Sequence, residues 1–369
     1  MNLIFITMDG ARKDRTLTAK NYSKLINDSL FFSTVVTYAP FTIGAMHAVL
    51  SGTYGTKTGV NSYWSNLNFK KNLYKTLPLY LKDNNFVTHA DVINKLVLPP
   101  TGFDEFVIHD ELNDDLTKRH IDLIKKFNST RKTGKNFFLY LHYSNIHTGI
   151  MENVLKKYNN FSKEYFENKS KNENLYDHLF KNADEYLGKI VNYCNEIDLF
   201  DDTLLVVISD HGISVGEKHG ERAYGVFCYD YTLISTALFF SKKLESMKIN
   251  QQVRSIDILP TILELLQIKT DTNFLPIDGK SLLSLSNGIF EKRIAFSQSG
   301  NPLGSAKPPA EPNVYSIRED EWKYIRNIHD ESEELYFLKD DPNENHNLIM
   351  KENQKAEELR AEMERILNS

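Results

Sequence analysis

The stretch 203–222, TLLVVISDHGISVGEKHGER, constrains this chain more than any other. Leu204, Leu205, Val206, Val207 and Ile208 form an unbroken apolar run rich in β-branched residues. Such a run reads as a strand covered on both faces, the usual state of a strand in a parallel sheet flanked by helices. It ends abruptly in Ser209, Asp210, His211 and Gly212. Open α/β sheets bind ligands at the carboxyl ends of their strands. An Asp oxygen beside a His nitrogen suits a divalent zinc, manganese or magnesium ion. A polar turn capping the strand would leave the same trace, so the pair alone does not decide.

Two more apolar runs end in polar clusters. Leu3–Met8 delivers Asp9 and Gly10, and Gly10 lets the backbone approach a ligand closely. Asn136–Tyr143, NFFLYLHY, empties into Ser144, Asn145, Ile146, His147 and Thr148. His142 falls inside the apolar pattern and reads as a packed side chain. His147 lies beyond it, where a ligand or general acid would stand. A helix over 20–32 leads into the strand FFSTVVTYA. After Pro40, small apolar residues at helical spacing over 43–51 are stopped by Gly52. Thr42 therefore lies at or next to a helix N-terminus, where unpaired N–H groups and the helix dipole favour anions. A plain N-cap threonine is the other reading. Arg12, Lys13 and Arg15 face either an anionic substrate or solvent.

The spacing predicts a helix over 74–83, a strand over 86–92, a loop at Pro99, Pro100 and Gly102, and a helix over 111–128. The charged stretch 151–200 reads as about two helices, placed to act as a lid. Residues 232–240 form a further buried strand, and 255–266 lead into an apolar helix. The runs RIAFSQS, NVYSIRE and WKYIRNI in 293–330 suggest a small antiparallel sheet. ELYFLKDD adds a strand and turn, and 351–368 a closing helix. The texture changes near residue 285, which divides the chain into an α/β part over 1–285 and a smaller α+β part over 286–369.

With 369 residues, 41% of them hydrophobic, there is ample material for a large core. The net charge of -5 argues against a general nucleic-acid binder. Cys194 and Cys228 are too few for a disulfide framework and read as free thiols in a reducing compartment. No run approaches the ~18 apolar residues of a membrane span. The short apolar start has no basic leader and meets Asp9 at once. The expectation is a soluble, cytoplasmic protein.

Taken in order, these segments resemble the sulfatase branch of the alkaline phosphatase superfamily. The opening strand with Asp9 is similar to the family's first metal-binding segment, and SDHGISVGEKHGE to its second. APFTIGAMHAVLSGTYGTKTGV resembles the nucleophile signature, and YLHYSNIHTGI the strand that ends in a histidine loop. TLPLYLKDNNFVTHADV, GFDEF, VRSIDILPTILELL with IDGKSLL, EWKYIR and ELYFLKDDPNENHNL resemble the remaining landmarks. The resemblance implies a three-layer α/β/α sandwich with a mostly parallel central sheet and a small C-terminal α+β part. It implies Asp9, Asp210 and His211 as metal ligands, with Thr42 both nucleophile and ligand. His147 and His219 would stand at the reacting ester, and Lys218, Arg12 and Asn145 would bind substrate.

The departures sharpen the expectation. Family members of the usual kind carry a Cys or Ser oxidised to formylglycine where this chain has Thr42. The signature's Pro and Arg are Gly44 and Met46, INKLVLPP replaces a Lys-Trp-His segment, and Gly10 replaces an acidic residue. Threonine nucleophiles occur in phosphodiesterase, phosphoethanolamine-transferase and lipoteichoic-acid-synthase relatives. The implied chemistry is metal-dependent hydrolysis or transfer of a phosphate mono- or diester through a phosphothreonine. The substrate would be a small molecule or a glycan or lipid head group. The alternatives are a sulfuric-ester hydrolase without formylglycine and a non-catalytic binder of anionic glycans. One divalent ion is expected, manganese, zinc or magnesium ahead of calcium. Asn145, rather than an Asp, beside His147 argues for a single ion, with a second left open.

Overall fold

Strand β1 (Asn2–Met8) is the axis of the molecule, buried along its whole length. In the computed structural model, which describes residues 1–99, 101–131, 134–303 and 307–369, it pairs in parallel with β5 (Phe137–Tyr143) on one side and β6 (Thr203–Ile208) on the other. Pro100 of the expected loop lies outside the described residues. The strands are β2 (Leu30–Val36), β3 (Val87–Val92), β4 (Glu105–Ile108), β7 (Ile234–Phe240), β8 (Met247–Ile249) and β9 (Val253–Arg254) besides these three. They form one sheet in the order β4-β3-β5-β1-β6-β7-β2-β8, with β9 on β2. Its pairings are parallel except those of β7, which runs antiparallel to both β6 and β2.

Alternation of side chains sends Ile4, Ile6 and Met8 to one face and Leu3 and Phe5 to the other. The first face is covered by α1 (Lys20–Asn27), α4 (Leu116–Arg131) and α6 (Lys169–Glu196). The second is covered by α2 (Thr42–Ser51), α3 (Leu77–Asp83) and α7 (Ile258–Leu265). The short helix α5 (Asn145–Ile150) follows β5 directly. The three layers follow from uniformly apolar strands, which need cover on both faces.

Strands β10 (Ala295–Ser299), β11 (Val314–Glu319), β12 (Trp322–Asn327) and β13 (Ser332–Phe337) make a second, antiparallel sheet. Helix α8 (Asn353–Leu367) packs on it through Ala356, Leu359, Met363 and Ile366. This sheet shares a core with Tyr38, Phe41, Ala48 and Tyr54 of the first part. The Gln298 N–H donates to the Tyr38 carbonyl at 2.9 Å.

Two expectations change. Within the stretch 151–200, residues 169–196 are not a lid: α6 buries Tyr176, Phe180, Ala183, Leu187 and Ile190 in the core, because its apolar stripe is continuous over many turns. The strand expected from residue 232 begins at Ile234, and its antiparallel direction was invisible in a run apolar on both faces.

Candidate metal centre and active site

Strand alternation places the site. Odd residues of β1 face α2, so Asp9, next in that series beyond the strand, is turned toward the start of that helix. The same parity carries His142 from β5 and Asp210 from β6 to that side. Gly10 adopts φ +76°, and a Cβ there would come within 2.9 Å of Ile213. Its N–H donates to Asp210 Oδ1 at 3.1 Å, and the His211 N–H donates to the same oxygen at 2.9 Å. The tips of β1 and β6 are thereby locked together.

Thr42 is the first helical residue of α2 rather than its cap, which is Phe41 with extended backbone. The Thr42 hydroxyl lies 3.4 Å from Asp9 Oδ2 and 3.5 Å from His211 Nε2. Gly44 allows the tight turn into the helix: a Cβ there would lie 2.8 Å from both Ala39 Cβ and the Phe41 ring. Phe41 in turn stacks on Tyr63 with ring centroids 4.4 Å apart.

Asp9, Asp210 and His211 are buried, at most 1% exposed. His211 Nδ1 bonds the Gly212 carbonyl at 2.8 Å, so it carries the hydrogen and Nε2 is left as a lone pair. That nitrogen stands 3.7 Å from Asp9 Oδ1 and 3.5 Å from Asp210 Oδ2. Neither oxygen has a hydrogen-bond partner among the described residues. Two ligands of one tetrahedral ion at ~2.1 Å sit about 3.4 Å apart, so the donor set fits a divalent cation. The electrostatics agree. Burial works against the Asp9 charge, yet His147 and the hydrogen bond from His142, the largest opposing influences, hold the carboxyl well below its ordinary range. Burial, then repulsion from Asp9, pushes the Asp210 carboxyl up. A pair of buried carboxylates with bare oxygens on one lone pair is what a cation relieves.

A second cluster offers the contrast. Asp91, His109 and His120 also bring three donor atoms together. There His109 and His120 both bond Asp91 Oδ1, at 2.7 and 3.3 Å. Arg119 donates to Asp91 Oδ2 at 2.7 Å. The outer ring nitrogens meet Ser144 Oγ at 3.0 Å and the Tyr186 hydroxyl at 2.7 Å. The Asp91 charge is balanced by Arg119 and the polar atoms are paired, so this cluster is complete without an ion.

The structure thus gathers Asp9, Thr42, Asp210, His211 and His147. The last stands 3.8 Å from Asp9 Oδ2 through Nδ1, which also meets the Tyr224 hydroxyl at 3.2 Å. The other four expected residues make no hydrogen bond or ion pair to Asp9, Thr42, Asp210 or His211 among the described residues. His219 is exposed and packs its ring on Phe161 and Phe166, at 5.6 and 4.9 Å. Lys218 bonds the Glu344 carbonyl and, at 3.3 Å, the Asn345 side chain. Arg12 pairs with Asp14 and Glu217 and donates to the Ile213 carbonyl at 2.7 Å. Asn145 meets the Tyr143 hydroxyl.

Three neighbours of the site escaped the sequence reading: His142, read there as packing, and two tyrosines that went unread. His142 reaches Asp9 Oδ2 at 3.1 Å. Tyr224 lays its ring on His211 at 4.7 Å. Tyr63 stands over Phe41, one residue before Thr42. For His142 a signal existed: it shares strand parity with Phe138 and Tyr140, hence with the face that carries Asp9. For the tyrosines no local signal existed.

The comparisons with known proteins bear on the family and the fold. The family described as Sulfatase matches residues 1–268, and that described as N-sulphoglucosamine sulphohydrolase, C-terminal, matches residues 232–369. Arylsulfatase K of Xenopus laevis is 25% identical over 193 residues, which are 50% of this chain and 35% of that protein. The chain therefore matches only about a third of the length of that curated relative. A protein solved in complex with its substrate D-glucosamine-2-N,6-O-disulfate superposes with a TM-score of 0.74 at 18% identity, covering 99% of this chain and 97% of the other. The phosphonate monoester hydrolase of Agrobacterium radiobacter superposes with a TM-score of 0.74 at 15% identity, covering 100% and 95%. At such identities these two likenesses speak to the fold.

Proposed function

The chain belongs to the sulfatase family, and on that premise we propose that it is a metal-dependent hydrolase or transferase of phosphate mono- or diesters with Thr42 as nucleophile. One observation carries this reading: a hydroxyl at the first position of a helix lies 3.4 Å from Asp9 and 3.5 Å from His211. Asp9, Asp210 and His211 would hold the ion, joined by Thr42. A divalent ion there supplies positive charge that lowers the hydroxyl pKa and screens the ester's anionic oxygens.

The chain's own residues do the rest. Thr42 Oγ1 attacks phosphorus in line and gives up its proton to solvent water as the new O–P bond forms. The bond to the leaving oxygen breaks with its electron pair. The helix N-terminus faces the anionic oxygens with unpaired N–H groups. His147, its Nδ1 held by Tyr224, has Nε2 free to give a proton to the departing oxygen. Water, or a second alcohol, then attacks the phosphothreonine phosphorus and returns the Thr42 hydroxyl. Water makes the protein a hydrolase and an alcohol makes it a transferase. The substrate class is a small-molecule, glycan or lipid-head-group ester.

The sulfuric-ester reading has support in the relatives, one of which bears the name Arylsulfatase K. Turnover of an aryl phosphodiester, an aryl phosphate and an aryl sulfate by one manganese-loaded sample separates the two. The phosphate esters should be the faster. Thr42→Ala should lose roughly 10³-fold or more in kcat, Thr42→Ser should keep part of it, and quenched wild type should carry a phosphoryl adduct on Thr42 by mass spectrometry. Full metal-dependent activity in Thr42→Ala would sink the nucleophile. Faster sulfate turnover would move the conclusion to sulfuric esters.

A further inference from the structure

His142 and His211 use their ring nitrogens in opposite senses. His211 spends Nδ1–H on the Gly212 carbonyl and turns a bare Nε2 to the two carboxylates, the tautomer of a ligand. His142 points Nε2 at Asp9 Oδ2 at 3.1 Å, while its Nδ1 is buried with no partner among the described residues. A carboxylate oxygen only accepts, so the hydrogen sits on Nε2 and Nδ1 is the bare one. The His142 lone pair thus points away from the centre, and the ring has no nitrogen left to offer an ion.

We infer that His142 is a positioning residue for Asp9. Its N–H fixes Oδ2, and that fixes the rotation of the carboxylate that turns Oδ1 toward Asp210 and His211. Oδ1 is the atom left without a partner. The ring is itself well anchored. It is 0% exposed and mounted on β5, where it lies in register with Thr7 of β1. A group fixed on a central strand holds its neighbour more tightly than one on a loop. This inference rests on the reading that Asp9, Asp210 and His211 hold a cation.

The test is manganese binding to the full chain, by calorimetry and by counting free ion with electron paramagnetic resonance, without reference to turnover. His142→Phe keeps the ring's bulk and removes the donor. His142→Gln keeps an N–H near the reach of Nε2. Loss of an outer hydrogen bond to a metal ligand costs roughly 10-fold to 100-fold in affinity. His142→Phe should show that loss, and His142→Gln should recover most of it. Circular dichroism and melting of the metal-free proteins show that both variants are folded. A merely structural histidine would lower the melting temperature of His142→Phe and leave its manganese affinity at the wild-type value, which would overturn the inference. Equal losses in both variants would overturn it too. A wild-type protein that takes up no manganese, zinc or magnesium would overturn the cation reading, and the role of His142 with it.

Discussion

Asp210 shows how one residue can be costly to the fold and still be suited to the site. Its Oδ1 accepts two backbone N–H groups, while its Oδ2 faces the Asp9 carboxylate with no hydrogen-bond partner among the described residues. Burial and that repulsion push its carboxyl up. A carboxyl whose folded pKa is raised subtracts from stability at neutral pH, where the unfolded chain ionises it freely. Asp210→Asn should therefore stabilise the metal-free protein by about 1–3 kcal/mol, because an amide N–H would replace the bare oxygen and bond Asp9. The same change should abolish the rise in melting temperature on adding manganese. Thermal melts with chelator and with manganese check both halves. A metal-free Asp210→Asn less stable than wild type would contradict the electrostatic account. At this scale the strand-tip residues were legible, because a charged residue ending a buried strand stands out. His142 was not, because a histidine within an apolar run looks like packing until its partner is known.

Helix α2 carries a second buried histidine. His47 is 1% exposed and bonds the Ile43 carbonyl at 2.8 Å within the same helix. Burial lowers its pKa from 6.5 to about 4. In the folded protein it stays neutral down to about pH 4, whereas the unfolded chain protonates it below about 6.5. Unfolding then takes up a proton, so stability is full above pH 6.5 and falls as the pH drops toward 4, by up to about 3 kcal/mol. His120 is also buried with a lowered pKa and shifts stability in the same direction. Comparing wild type with His47→Leu isolates the first contribution. Urea midpoints at pH 7.5 and 4.5 should separate widely for wild type and less for the variant. Equal separations would refute the assignment. Elements as such were mostly legible, since each strand and helix has its own apolar period. The direction of β7 was not.

At the scale of the molecule, the antiparallel sheet and α8 cover the residues behind helix α2. Phe296, Ile317, Tyr324 and Leu335 share a core with Tyr38, Phe41, Ala48 and Tyr54. The Phe296 N–H donates to the Tyr54 hydroxyl at 3.3 Å, and the Ser297 hydroxyl to the Thr37 carbonyl at 2.6 Å. A chain ending at residue 285 would expose that aromatic group beside Thr42. Apolar patches of this kind bind dyes and aggregate. The truncated chain should therefore bind 8-anilinonaphthalene-1-sulfonate strongly and lose manganese affinity. A soluble 1–285 chain with wild-type affinity would show that the C-terminal sheet is dispensable to the centre.

Local sequence settled most of the strands, though not the short β4, β8 and β9, most helices, and the acidic and imidazole groups at three strand tips, because period and termination are properties of neighbouring residues. The tertiary structure decided which tips meet, which face each side chain takes and which nitrogen of each histidine is free. Those depend on sheet order and register, and therefore on residues more than a hundred positions apart. Lys218 and Arg12 illustrate the limit. Both are basic and close in sequence to the candidate metal ligands, yet each is drawn away: Lys218 by Glu344 and Asn345 and Arg12 by Glu217, which only folding brings near, with the neighbouring Asp14 also pairing with Arg12.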